Sequence, residues 1–220
     1  MRRWIGFVAR LWLVAAVLLG AWGFDDISGF FAHRARLGLV LVFVALSAAG
    51  TFVCPQVGTF EKGEKRTGMP LLYVWIAVSL VISIWYPYGD RRGYLLLPAS
   101  LDWLRYAGLA LVAAGMGFRM SSALWLGRQF SGYVAIQKEH QLVQTGPYAV
   151  IRHPMYTGLI VVYAGLGLVF RSWLALAGVA MTIAFVLVRI RQEERLLAEH
   201  FGAVFEEYRR RTSRLLPRIF

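Results

Sequence analysis

The chain has 220 residues, of which 58% are hydrophobic and 15% aromatic, and a formal net charge of +12. It is too apolar for an ordinary soluble domain and too charged to lie in lipid throughout, so it reads as an integral membrane protein with basic loops. Membrane lipids are its expected surroundings, and no nucleic acid is expected as a partner.

Four apolar runs, residues 4–24, 37–54, 69–87 and 103–124, are long enough to cross a hydrocarbon core of ~30 Å at ~1.5 Å per residue. The first follows Met1-Arg2-Arg3 in the manner of a secretory leader. Its apolar part continues to Trp22 and Phe24 without a small-residue cleavage site, which predicts a retained span. Arg10 lies seven residues after Arg3 on the same helical face and is expected to snorkel to the same interface. "FEKGEKR" (60–66) reads as a solvated turn. The single cysteine, Cys54, excludes an intrachain disulfide and reads as a small residue at a helix end. Gly115-Met116-Gly117 is a bare GxG inside an apolar run and reads as a helix-packing surface. Arg119 marks the cytoplasmic end of the fourth run.

Between the fourth and fifth runs lies the longest polar insertion, "GRQFSGYVAIQKEHQLVQTGPYAVIRHP" (127–154). Its glycines and prolines break helix, and 133–136 and 142–143 read as short extended pieces around a turn at Lys138-Glu139. A loop of this length inside a compact protein is generally functional. Pro147 and Pro154 fix the backbone at both ends of "PYAVIRHP", as a clamp requires. The last two runs, 155–170 and 172–188, flank Arg171 and are short for spans, which fits a tight helical hairpin or tilted packing.

After residue 188 the texture changes. Leu196, Leu197, Phe201, Val204, Phe205 and Tyr208 recur at helical spacing, predicting a helix that lies at the membrane surface or against the preceding loop. The arginines that follow suit anionic headgroups. With six runs and a cytoplasmic N-terminus, Arg2, Arg3, Lys62, Lys65, Arg66, Arg128, Lys138, Arg152 and the basic tail fall inside. Arg34, Arg36, Arg91, Arg92 and Arg171 fall outside, a bias that places both termini and the long loop in the cytoplasm.

Polar groups that can converge at that face are Gln137, His140, Tyr148, Arg152, His153 and Tyr156 from the loop, with Arg189, Glu193 and Glu194 from the exit of the last run. Arg189 and Glu193 are four apart and share a helical face. Spacing alone favours a simple ion pair with Glu194 solvated beside it. The scarcity of acids favours a site, because beyond Asp102 the chain offers only Glu139, Glu193, Glu194, Glu199, Glu206 and Glu207. His140 and His153 lack metal-ligand spacing, so no metal is expected; both read as neutral hydrogen-bond partners, with helix capping an equal alternative for His153. His33 and His200 read as surface or interface residues. No Walker loop and no serine or cysteine nucleophile arrangement is present.

"HQLVQTGPYAVIRHPMYTG" (140–158), followed by "RIRQEERLLAEHFGAVFEEYRRR" (189–211), resembles the isoprenylcysteine carboxyl methyltransferase family, part of a wider group with phospholipid N-methyltransferases. GPY, RHPxYxG, EExxL, FG and the Tyr-basic tail occur in order across the second half of the chain; the first half matches only as membrane spans. The resemblance implies an all-α polytopic membrane protein with about five to six transmembrane helices, a cytoplasmic cofactor-binding loop and a C-terminal interfacial helix. One domain, 1–220, would hold spans over 1–124 and a cofactor-binding half over 125–220.

It further implies S-adenosyl-L-methionine held by Gln137, His140, Gln141, Leu142, Val143, Tyr148, His153, Pro154, Met155, Tyr156 and Glu193, with Arg189 facing the substrate as the catalytic residue. The acceptor would be a lipophilic small molecule or lipidated chain, methylated at an isoprenylcysteine-like carboxylate or at a phospholipid amine. Two rivals remain at this level: a nicotinamide-dependent membrane reductase of sterol-reductase type, and a non-catalytic lipid-binding module in which the RHP loop is only a rigid connector.

Overall fold

A computed structural model describes the backbone of residues 2–52, 65–67, 69–127, 134–136 and 141–218, and the side chains of 7–8, 11–51, 73–127 and 141–218. Cys54, Gln137, His140, the Lys138-Glu139 turn and the side chains of Arg10, Lys65 and Arg66 lie outside the described residues.

Eight α-helices are described: α1 (Arg2–Trp22), α2 (Ile27–Ala32), α3 (Arg34–Phe52), α4 (Met69–Arg92), α5 (Leu104–Leu126), α6 (Pro154–Val169), α7 (Leu174–Phe201) and α8 (Ala203–Arg211). The first apolar run does not end in a loop but turns by 87° through a short 3-10 segment into α2. Asp26 makes that turn: its carboxylate accepts from Gly29 N at 3.0 Å, capping α2, and from the Trp22 indole at 3.2 Å. By length and composition three helices among the described residues can cross a membrane, within α3, α5 and α7, or four if the bent α1–α2 pair is one span. Five to six spans are read from the sequence: the run 69–87 lies in α4, which has 24 residues, and α6, with 16 residues, reaches ~24 Å at ~1.5 Å per residue.

Two further departures from the sequence reading concern the loops. Residues 65–67 form strand β1 (Lys65–Thr67), not part of a free turn, and pair antiparallel with β2 (Val134–Ile136), Lys65 opposite Ile136 and Thr67 opposite Val134. The long insertion thus borrows its partner strand from the loop before α4, while residues 142–143 take no strand. Beyond the last apolar run, which ends at Val188, the helix goes on, as the helical spacing of Arg189 and Glu193 required. α7 continues through Arg189 and Glu194 to Phe201, where Gly202 at φ 52° turns the chain into α8.

The centre of the molecule is the α5–α6 pair. Gly108 faces Gly165 and Gly115 faces Gly158; a Cβ at Gly165 would stand 2.6 Å from the Gly108 carbonyl, and one at Gly115 would stand 2.9 Å from the Gly158 carbonyl. Small residues let the two backbones touch, as the GxG reading anticipated for Gly115. Around them Leu39, Ile82, Tyr86, Val112, Val162, Leu166, Val169 and Phe170 form the buried core. Trp12, Leu13, Leu41, Tyr73, Val81, Trp85 and Leu176 point outward and are exposed, a distribution that suits hydrocarbon surroundings.

At the end of the bundle where α3 and α5 begin, a buried carboxylate and the arginines around it tie five segments together. Asp90 of α4 accepts from Arg36 at 2.9 Å and from both terminal nitrogens of Arg105 at 2.7 Å. Arg36 also donates to the Phe30 and Gly29 carbonyls, and Arg105 to the Val169 carbonyl and Asp102. His33, read from the sequence as a surface or interface residue, contacts Asp102 at 3.0 Å and accepts from Ala35 N through its other nitrogen.

Candidate active site

At the opposite end of α5 the RHP loop is held between three helices. Gly146 sits at φ 59° with its α-carbon pressed to Trp125 of α5: a Cβ there would meet the indole at 2.5 Å. This starts the 3-10 turn Gly146–Ala149, which delivers Tyr148 into the interior. Pro154 then begins α6 at the first helical position, where its missing N–H costs nothing.

His153 occupies the N-cap of α6, and its carbonyl accepts from Tyr156 N and Thr157 N. Its side chain makes no cap. Instead the buried imidazole points its Nε2 at Glu194 Oε1, 3.3 Å away, and lies beside the Tyr156 ring with centroids 5.7 Å apart.

Tyr156 joins the two residues of α7 that spacing had placed on one face. Its hydroxyl donates to Glu193 Oε2 at 2.9 Å and accepts from Arg189 Nε at 2.7 Å. The predicted Arg189–Glu193 relation is therefore mediated by a tyrosine from α6. Arg189 is buried and Glu193 partly exposed, so a charged carboxylate faces the accessible side of the group. A cationic ligand is what such an edge accommodates, by ion pairing to Glu193 and by the faces of Tyr148 and Tyr156.

The next residue of α7, Glu194, is buried, contrary to the solvated position that spacing alone favoured. Its Oε1 accepts from Arg152 Nε at 2.9 Å, and Arg214 approaches Oε2 at 3.1 Å. Arg152 donates further to the Arg209 carbonyl at 3.0 Å and to both the carbonyl and hydroxyl of Thr212. Sequence reasoning named Arg152 and Glu194 as members of the polar cluster without separating their role from that of Glu193. The signal was present in the doubled acid, since adjacent helical residues point about 100° apart and serve different neighbours.

Arg119, read from the sequence as marking the cytoplasmic end of the fourth run, was not placed with the site residues. It lies within α5, donates to the Met155 carbonyl at 2.7 Å, and packs its stem where a Cβ on Gly158 would stand. An arginine inside an apolar run is itself the signal that could have found it. Tyr148 and Tyr208 close the group from below: the Tyr208 hydroxyl donates to the Tyr148 carbonyl at 2.7 Å. Burial pushes the Tyr208 phenol up to about 12, so it keeps the proton it donates. Burial, and secondarily the charge of Glu193, likewise pushes the Tyr148 phenol up.

Of the remaining sequence-predicted site residues, Pro154 and Met155 open α6 beside this cluster. Gln141 is exposed and Leu142 and Val143 half-buried in the irregular segment before Gly146; among the described residues no hydrogen bond ties them to it. The predicted interfacial helix is α8, whose Phe205 and Tyr208 are buried while Val204 is exposed. It packs against the loop, the second of the two placements expected for it.

The chain is similar to several known proteins. The family model described as phospholipid methyltransferase matches residues 103–204. The nickel-cobalt-cadmium resistance protein NccN of Alcaligenes xylosoxydans xylosoxydans is 35% identical over 53% of this chain and 53% of its own length. A probable protein-S-isoprenylcysteine O-methyltransferase of Oryza sativa subsp. indica is 32% identical over 57% of this chain and 68% of its own. The chain thus spans about half to two thirds of the length of these relatives. Among solved structures, the eukaryotic intramembrane Ras methyltransferase, an isoprenylcysteine carboxyl methyltransferase, superposes with a TM-score of 0.66 over 97% of this chain and 75% of that one at 21% identity, a likeness of fold.

Proposed function

Because the chain belongs to the isoprenylcysteine carboxyl methyltransferase family, we propose that it is a membrane methyltransferase that uses S-adenosylmethionine to methylate the carboxylate of a lipophilic, isoprenylcysteine-like acceptor. The observation that carries the reading is the Tyr156 hydroxyl set between the carboxylate of Glu193 and the guanidinium of Arg189. It places an anion for a cationic donor and a cation for an anionic acceptor on one short relay.

S-adenosylmethionine supplies an electrophilic methyl group on a sulfonium and leaves as a neutral thioether. Glu193 would pair with its positive charge, and His153, Tyr156, Tyr148, Gln141, Leu142, Val143, Pro154 and Met155 would supply the remaining contacts that hold it. Arg189 and Arg119 hold the acceptor carboxylate, whose oxygen is already the nucleophile. No proton has to be removed, so orientation of the two reactants accounts for much of the rate. A phospholipid amine would need deprotonation first, and for that reason the carboxylate is the favoured acceptor over the phosphate-bearing alternative that the same arginines could bind. The whole of 1–220 acts as one domain, with both termini and the RHP loop on the cytoplasmic face and the acceptor tail entering from the bilayer.

Calorimetry on the detergent-purified protein tests this directly. Saturable S-adenosylmethionine binding, lost in Glu193→Ala, and methyl ester formation on a prenylated cysteine analogue are expected. A folded protein that binds reduced nicotinamide and not S-adenosylmethionine would overturn it in favour of the reductase.

A further inference from the structure

The segment after α8 is not a free basic tail. Residues 212–215 run parallel to 150–153 as an added strand: Ser213 N donates to the Val150 carbonyl at 3.1 Å, Arg152 N to Ser213 at 2.8 Å and His153 N to Arg214 at 3.0 Å. Thr157 Oγ1 donates to the Leu215 carbonyl at 2.7 Å, and Leu215 is buried against Val186 and Ile190 of α7. The backbone N–H groups of the RHP corner are therefore satisfied by the chain terminus, more than fifty residues away, and not by a local turn.

Glu194 of α7 sits where the helix, the RHP loop and the segment after α8 meet. It gathers Arg152 and His153 from the loop on one oxygen and Arg214 from the terminal segment on the other. Nε2 of His153 is held by that carboxylate. Tyr156, whose hydroxyl bridges Glu193 and Arg189, lies on the first turn of the helix that His153 starts. A shift of the corner must move both.

We propose that Glu194 is a positioning residue and residues 212–215 a clamp, which together fix His153 and Tyr156 for the methyl donor without touching it. The inference rests on the proposed methyltransferase reading only for its donor-binding readout. Groups held by such supporting shells lose function when the shell loosens, because a misplacement of 1 Å can lower a rate by as much as about 100-fold.

The test compares full-length wild type with Glu194→Gln, which keeps shape but removes charge, and with Arg214→Ala at the partly exposed far end of the clamp; Arg210→Ala on the exposed face of α8 is the control. Amide hydrogen exchange at Arg152 and His153 is measured without ligand, then the dissociation constant for S-adenosylmethionine, then KM for each substrate. In Glu194→Gln, exchange at both amides is expected to accelerate and donor affinity to fall about 10- to 100-fold while acceptor KM stays within about twofold. Arg214→Ala shifts the same quantities less, and Arg210→Ala leaves them alone.

Unchanged exchange, or faster exchange with donor affinity intact, would overturn the proposal, as would an equal rise in both KM values, which marks general loosening. If Glu194→Gln does not fold, Arg214→Ala carries the same comparison. If wild type binds no S-adenosylmethionine, the methyltransferase reading fails by itself while the exchange data still decide the clamp.

Discussion

The two ends of this bundle each bury a carboxylate between arginines, yet they surround it differently. Around Asp90, Arg36 and Arg105 direct their donors to Asp90, Asp102 and the carbonyls of Gly29, Phe30 and Val169. That set is closed by its own chain, and it joins α2, α3, α4, α5 and the end of α6. At the other end Glu194 forms a comparable closed hub, but one residue away Glu193 stays partly exposed beside Tyr156 and Arg189. Buried charge by itself does not mark a site.

The comparison can be broken by substitution. The largest loss of stability is expected for Asp90→Ala, which strands two buried guanidiniums and should cost about 3–5 kcal/mol in denaturant unfolding, while the folded fraction keeps its donor affinity. Glu193→Ala should do the reverse. Donor binding by calorimetry should weaken by about 2–5 kcal/mol, the range for truncating one member of a hydrogen-bonded charge pair, with the melting temperature nearly unchanged. If Asp90→Ala abolished donor binding in a folded protein, the two ends would not be separable.

Arg119→Ala sharpens the division within the site. Losing hydrogen bonds to a charged acceptor should raise acceptor KM roughly 10- to 100-fold and leave donor affinity near wild type. A loss of donor affinity instead would assign Arg119 to the donor carboxylate. Tyr208→Phe is a smaller perturbation: removing its bond to the buried Tyr148 carbonyl should lower stability by about 1–2 kcal/mol, read from thermal unfolding. Arg195→Ala, which touches only exposed Glu199 one turn away, should change neither stability nor binding measurably.

The non-catalytic lipid-binding reading makes the opposite forecast for the same variants. It requires Glu193→Ala and His153→Ala to be silent and neutralisation of Arg209, Arg210 and Arg211 to be damaging. Part of that basic cluster is already engaged in the fold, since Arg209 pairs with Glu206 at 3.2 Å and Arg211 donates to Gln144.

Much of the site was legible before any coordinates. The prolines and glycine of "GPYAVIRHP" announced a fixed loop, and the i,i+4 spacing of Arg189 and Glu193 put them on one face. Helical periodicity over residues 196–208 predicted an amphipathic terminal helix, although Gly202 divides it between α7 and α8. Hydropathy registers apolar length and not whether a run bends, as at Phe24–Asp26, or stops short, as in α6.

The sequence by itself determined the membrane setting, the family and the identity of the polar residues at one face, since composition, motif order and local periodicity are properties of the chain alone. Tertiary structure alone decided which polar residue meets which. Tyr156 comes between Arg189 and Glu193, Glu194 turns inward to Arg152, His153 and Arg214, and the strand beside the RHP corner comes from the chain's last residues. Each of these joins segments far apart in sequence, and no local spacing encodes a partner that packing of α5, α6 and α7 brings into hydrogen-bonding distance only after the chain has folded.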